Sequence, residues 1–170
     1  MVTVDDLGSV PKTLLMTLYN RAVESRRANP ILVDRKAEEM VARIDYDFEQ
    51  FGEGRITHPI RANVMDEWVS AFLRCHPQAT IVNLGAGLGT QSERLDNGTA
   101  TWVDLDVPEV IALRRRFFEE GPRHKMVAAS AFSTGWMGEL DPEAPTFFVA
   151  AGLLMFFEPA QVQQLFWTLA

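Results

Sequence analysis

The stretch Ile81-Val-Asn-Leu-Gly-Ala-Gly-Leu-Gly-Thr90 constrains this chain more than any other. An apolar run ends in glycines at alternate positions, Gly85, Gly87 and Gly89. The run suits a buried parallel strand, and the glycines suit a backbone that turns sharply beneath a ligand. A second strand-like run, Thr101-Trp-Val-Asp-Leu-Asp106, puts an acidic residue about twenty positions after Gly85. At that spacing a nucleotide-binding βαβ unit presents a carboxylate to ribose hydroxyls.

The glycine spacing separates two ligands. A dinucleotide fingerprint places its third small residue where this chain has Thr90, which disfavours a nicotinamide oxidoreductase. Here the third glycine comes one residue early, and the G-x-G-x-G form resembles the first motif of S-adenosylmethionine-dependent methyltransferases. That cofactor has no pyrophosphate, so the loop needs only close backbone approach to its methionine and ribose portions. A tight strand-to-helix turn without a ligand is the competing account of the glycines alone. The strand before them and the acid after them weigh against it.

At 170 residues the chain is one domain by length, large enough to bury a real core. A net charge of −7 argues against a nucleic-acid partner, because no basic face offsets phosphate repulsion. The single cysteine, Cys75, excludes an intrachain disulfide and fits a reducing compartment. The opening residues lack the basic and apolar regions of a signal peptide. The longest uncharged apolar stretch, 147–157, is too short to span a membrane, so the expected location is cytoplasmic.

Residues 1–78 read as a helical region and 79–170 as a partial Rossmann-like core, one structural domain overall. Leu15, Leu18, Tyr19, Ala22 and Val23 form a first helical stripe. Asp34 caps a second helix that turns Ala37, Met40, Val41 and Ile44 inward. A third helix starts near Pro59 with the stripe Ile60, Val64, Trp68, Ala71 and Phe72. Strands are predicted at 80–84, 101–105, 125–129 and 146–150, and helices at 90–95, 108–119 and 159–169. This alternation implies α/β architecture, a parallel sheet covered on both faces with its ligand at the carboxyl ends of the strands. The fourth strand is apolar on both sides, and the last helix carries Val162, Leu165, Phe166 and Leu169 without a capping glycine or polar tail. C-terminal strands are therefore expected to be missing, or a homodimer to cover the surface.

The chain resembles the bacterial branch of the leucine carboxyl methyltransferase family across nearly its whole length. The resemblance is carried by Arg21-Ala-Val-Glu-Ser25 with Asp34-Arg-Lys-Ala37, and by Ile60-Arg61 ahead of Asp66. It continues through Asn83-Leu-Gly-Ala-Gly-Leu-Gly-Thr90, Val103-Asp-Leu-Asp-Val-Pro-Glu-Val110 and Ala151-Gly-Leu-Leu-Met-Phe156. It implies that Arg61 holds the methionine carboxylate of S-adenosylmethionine, which a guanidinium fork suits. It also implies that Gly85 and Gly87 underlie the cofactor, that Asp106 takes the ribose hydroxyls, and that Lys12 lies near the cofactor carboxylate. Asp104 rivals Asp106 on spacing alone; alternation puts both on one strand face, with Asp106 nearer the end.

Three positions depart from the family pattern. Gly89 stands where members commonly have aspartate, in Gly87-Leu-Gly-Thr-Gln91. Ser130 or Ser133 matches the aspartate near the adenine, and Ala151 matches a glutamate. These changes loosen the expected cofactor contacts and leave the backbone cradle.

Other candidates weigh less. Cys75-His76 reads as an ordinary helix end before Pro77, with no C-x-x-C or histidine cluster to make a metal site. His124 reads as solvated, Arg114-Arg115-Arg116 as a charged outer face, and Phe156-Phe157 and Phe166-Trp167 as core.

The expected function is methyl transfer from S-adenosylmethionine to a carboxylate or hydroxyl of a small, polyketide-like acceptor. In-line displacement gains most from proximity, and a carboxylate nucleophile needs no general base. The alternative is a truncated, non-catalytic cofactor-binding or dimerisation module.

Overall fold

The alternation of apolar runs and helix signals after residue 79 produces four parallel strands. The computed structural model describes residues 2–3 and 12–170. Strands β3 (Thr80–Leu84), β4 (Thr101–Asp106), β5 (His124–Ala128) and β6 (Thr146–Val149) lie in the order β5-β4-β3-β6. The first strand of the series is thus central, with β4 and β6 in parallel register on its two sides. The order reverses at β3, so a crevice opens at its carboxyl end, where the glycine loop emerges.

Helices α4 (Gln91–Leu95) and α5 (Pro108–Arg114) make the first two crossovers, and α6 (Pro159–Leu169) follows β6. Upstream lie α1 (Lys12–Ser25), α2 (Arg35–Arg43) and α3 (Thr57–Cys75), with a short parallel pair between β1 (Val2–Thr3) and β2 (Ile44–Asp45). Strand alternation divides the core. Ile81, Trp102 and Val149 pack with Val69 and Leu73 of α3 on one face. Val82, Leu84, Val103 and Leu105 pack with Leu165 of α6 and with Trp136 on the other. Each large side chain buried in this way contributes about 1.5–3 kcal/mol.

The first two helices follow their predicted stripes: Leu15, Leu18, Ala22, Ala37 and Met40 are buried. Asp34 caps α2 by accepting the Ala37 N–H at 3.0 Å. Ile44 is buried one residue past the helix, in β2.

Helix α3 is rotated from its expected face. It buries Pro59, Asp66, Val69 and Leu73, and leaves Ile60 43% and Trp68 56% exposed. The buried face combines an ion pair with apolar packing. Asp66 accepts from Arg94 of α4 through Nε at 2.6 Å and Nη2 at 3.0 Å, and a buried carboxylate needs such a partner. Val69 and Leu73, with Met65 and Phe72 beside them, pack into the core from the same helix.

Helix α5 ends at Arg114 and not at Glu119. A continuing helix would point Phe117 and Phe118 about 100° apart; the turn buries both. The C-terminal aromatics depart from expectation too. Phe156, Phe166 and Trp167 are 65%, 57% and 72% exposed, while Phe157 packs edge-on against Phe132. Strand β6 is an edge of the sheet. No described helix is long and apolar enough to cross a membrane.

Candidate functional site

The loop after β3 needs glycine for two reasons. Gly85 and Gly87 have φ of +66° and +52°, which L side chains rarely adopt. Their open sides are also packed: a Cβ on Gly85 would meet Leu153 Cδ1 at 2.9 Å, and one on Gly87 would meet Leu14 Cδ1 at 3.3 Å.

Asp106 ends β4 beside this loop. Its Oδ2 accepts the Gly87 N–H and its Oδ1 the Val107 N–H, each at 2.8 Å. Burial nevertheless raises its pKa above the ordinary carboxylate value, because those bonds do not replace the lost water and no described cation pairs with it directly.

Asp104, on the same strand face, is fully buried and fully engaged. It accepts from Arg114 Nε at 3.1 Å and Nη2 at 2.5 Å, from Asn83 Nδ2 at 2.8 Å, and lies 2.6 Å from His124 Nε2. Burial opposes its ionisation, but the Arg114 charge, His124 and Asn83 outweigh it and hold the pKa at about 2. Two sequence expectations are corrected here. Arg114 is not part of an outer charged face but 1% exposed, and His124 is not simply solvated. Both are drawn inward because Asp104 is buried and has to be neutralised.

Arg61 lies on the first half of α3 and is half-buried. A Cβ built on Gly152, next to the Leu153 that covers Gly85, would meet Arg61 Nη1 at 2.6 Å. Among the described residues no carboxylate or carbonyl accepts from this guanidinium, and burial alone lowers its pKa. Beside it, His58 Nδ1 lies 2.6 Å from Asn20 Nδ2, while Asn20 Oδ1 accepts the Arg55 N–H at 3.0 Å. The amide therefore donates to Nδ1. Burial, Arg61, Arg21 and Arg55 all lower the His58 pKa, which favours the neutral ring.

A buried network ties the helices to the loop. Asp34 Oδ2 accepts from Arg21 Nε at 2.9 Å, Arg94 Nη1 at 3.1 Å and Thr90 Oγ1 at 2.6 Å. Arg21 Nη2 donates to the Leu88 carbonyl at 2.7 Å, and Arg94 continues to Asp66. The segments around Arg21, Asp34 and Asp66 stand out in the sequence, but their convergence on one loop does not. Arg94 carries no sequence signal beyond being a charged residue on a short helix.

Of the two remaining expected site residues, only Ser130 has a described side chain. Ser130 follows β5 and is exposed; its Oγ accepts the Phe132 N–H at 3.2 Å, and its carbonyl accepts from Ser133 Oγ at 2.8 Å. The Ala129 N–H donates to the Asp106 carbonyl at 3.0 Å, which sets this turn beside the end of β4. Lys12 begins α1, and its side chain lies outside the described residues.

Gly85, Gly87, Asp106 and Arg61 fit S-adenosylmethionine. Arg61 has no anionic partner among the described residues and Asp106 accepts only two backbone N–H groups, so a ligand bearing both a carboxylate and ribose hydroxyls would complement both. Gly85 and Gly87 let the loop turn between them with Leu153 and Leu14 packed against it.

Residues 14–170 match the leucine carboxyl methyltransferase family. The chain is 37% identical over 163 residues to the tetracenomycin polyketide synthesis O-methyltransferase TcmP of Streptomyces glaucescens, covering 94% of this chain and 60% of that protein. It is 33% identical over 127 residues to the S-adenosyl-L-methionine-dependent methyltransferase dpfgK of Gibberella zeae, covering 67% and 43% of the two chains. A solved structure of a candidate methyltransferase from Thermobifida fusca superposes with a TM-score of 0.54 at 16% identity, over 91% of this chain and 60% of that one. The chain thus spans about 60% of the length of the Streptomyces relative. This likeness agrees with the Rossmann-like methyltransferase fold of the sheet described above, and the chain belongs to the leucine carboxyl methyltransferase family.

Proposed function

We propose that this protein is an S-adenosylmethionine-dependent O-methyltransferase. The observation that carries the proposal is the half-buried Arg61 guanidinium, without an anionic partner among the described residues, packed on Gly152 next to the Leu153 that covers Gly85, with Asp106 on the Gly87 N–H of the same loop. Arg61 binds the cofactor's methionine carboxylate, the backbone at Gly85 and Gly87 runs beneath it, and Asp106 accepts from the ribose hydroxyls. The family resemblance assigns Lys12 to the carboxylate end and Ser130 or Ser133 to the adenine. The cover over this site is assigned to the helical region 1–78, of which residues 1 and 4–11 lie outside the described residues, and the floor to 79–170.

The cofactor supplies an electrophilic methyl group on a sulfonium. The protein's part is to orient that group toward an acceptor oxygen and exclude water, the kind of catalysis that proximity and alignment provide. A carboxylate acceptor attacks without a base, so no catalytic histidine is needed; a hydroxyl acceptor requires one. The name of the Streptomyces relative supports a small, polyketide-like acceptor. A cytoplasmic location belongs to the same proposal.

A second reading has its own support. Met155, Phe156, Phe166 and Trp167 leave an apolar surface beside the edge strand β6. A second copy of the chain would cover it, and a chain that binds cofactor without turnover would act as an assembly module.

Calorimetric titration separates these outcomes. S-adenosylhomocysteine should bind saturably and NAD should not; NAD binding with no response to S-adenosylhomocysteine would overturn the cofactor assignment. Transfer of a labelled methyl group to a carboxylate- or hydroxyl-bearing acceptor then distinguishes the enzyme from the binding module.

A further inference from the structure

Three consecutive carbonyls of the glycine loop are held by two buried arginines. Arg114 Nη1 donates to the Gly87 carbonyl at 3.0 Å and to the Gly89 carbonyl at 2.7 Å. Arg21 Nη2 donates to the Leu88 carbonyl between them at 2.7 Å. Each guanidinium is paired with a buried aspartate, Asp104 for Arg114 and Asp34, which Arg94 shares, for Arg21. The Arg114 guanidinium also stacks 4.1 Å from the centroid of the Phe118 ring.

A guanidinium fork can hold a carboxylate on one edge and backbone carbonyls on another, which an ammonium cannot do in a fixed plane. A peptide unit is planar, so fixing a carbonyl fixes the N–H of the next residue. Arg114 therefore sets the direction of the Leu88 and Thr90 N–H groups, and Arg21 sets that of Gly89. The Gly87 N–H is already tied to Asp106 at 2.8 Å.

We propose that Arg114 and Arg21 are positioning residues, a pair of buried cations that hold the glycine loop in its ligand-ready shape before the cofactor arrives. Neither touches the cofactor. Their effect is preorganisation: the loop does not spend binding energy on ordering its own backbone. The proposal rests on the S-adenosylmethionine reading of this site, and its test separates the two.

The test has two arms. In the ligand-free wild-type protein, ¹⁵N relaxation should give Leu88, Gly89 and Thr90 order parameters equal to those of β3. A loop that is mobile without ligand overturns the proposal, and this arm needs no variant to fold. In the second arm, Arg114→Lys and Arg21→Lys keep the charge and lose the fork. Each should weaken S-adenosylhomocysteine binding about tenfold, the loss of one or two charge-assisted hydrogen bonds. Leu73→Ala serves as a control for stability, since Leu73 is buried against the sheet far along α3 from Arg61. It should bind within about twofold of wild type even where its melting temperature falls as far. Wild-type affinity in both lysine variants, or an equal loss in Leu73→Ala, overturns the positioning role. No binding by the wild-type protein overturns the cofactor reading instead, and the relaxation arm still decides the order of the loop.

Discussion

Asp104 and Asp106 stand two residues apart on one face of β4, and they reach Gly87 from opposite ends. Asp106 accepts the Gly87 N–H at 2.8 Å, while Asp104 holds the Arg114 side chain that donates to the Gly87 carbonyl at 3.0 Å. One carboxylate is incompletely compensated and the other is fully enclosed by partners. The same side chain on the same strand face is thus assigned by our proposal to binding in one place, and holds the architecture in the other.

Substituting them should therefore produce different failures. Asp106→Asn should weaken S-adenosylhomocysteine binding tenfold or more, since charge-assisted bonds are worth roughly 1.5–3 kcal/mol each. Its melting temperature should move by less than about 4 °C, because relief of a buried charge offsets a lost backbone bond. Asp104→Asn should lower stability by about 3–5 kcal/mol by leaving Arg114 buried without its counter-ion. Calorimetric titration and thermal unfolding of both variants check this; loss of affinity at constant stability in Asp104→Asn would contradict the assignment.

Arg61→Met should act on binding alone. The guanidinium has no described partner to lose, so removing it should leave the melting temperature unchanged or higher. Affinity for S-adenosylhomocysteine should fall by about ten- to a hundredfold, the worth of a charge-assisted carboxylate contact. A clear drop in stability would mean that Arg61 has a structural partner after all.

Acid should loosen the fold between about pH 4 and pH 2. Both Asp104, held at about 2 against an ordinary 3.8, and Asp34 have lowered pKa values in the folded chain. Their ionisation stabilises the native state fully above the unfolded value, and that contribution is lost as pH falls through the folded one. Urea midpoints should decline across this window, and the decline should be shallower in Asp104→Asn. An equally steep curve in the variant would show that other carboxylates carry the effect.

Arg94 should be worth more to the fold than its place on a five-residue helix suggests. It bridges Asp34 and Asp66, so Arg94→Met leaves two buried carboxylates short of a cation and should cost about 3–5 kcal/mol. Adding Asp66→Leu should recover part of that loss, because an apolar pair needs no compensation. A double variant no more stable than the single one would show that the α3–α4 contact does not depend on this ion pair.

The exposed face of Met155, Phe156, Phe166 and Trp167 should drive self-association of the 170-residue chain. Light scattering should report a dimer or larger species, and Phe166→Glu with Trp167→Glu should shift it toward monomer. A stable wild-type monomer would show that this face needs no cover.

The sequence alone determined the regular parts of this protein. Strand β3 and helix α6 have their predicted ends, β4 and β6 differ from prediction by one residue at one boundary, and β5 is shifted by one residue at both. Apolar runs, alternation and turn residues are local signals, readable without knowing what lies opposite. The glycine loop and Asp106 were legible for the same reason, since their spacing along the chain is set by one βα unit. The tertiary structure decided which charges are buried. Arg114 and His124 look like solvated residues in sequence, and α3 looks as though Trp68 faces inward. All three departures fall where a buried Asp104 or Asp66 meets its partner, and those partners come from other elements. Periodicity records which side chains avoid water, whereas the pairing of buried charges depends on distances that exist only once the chain has folded.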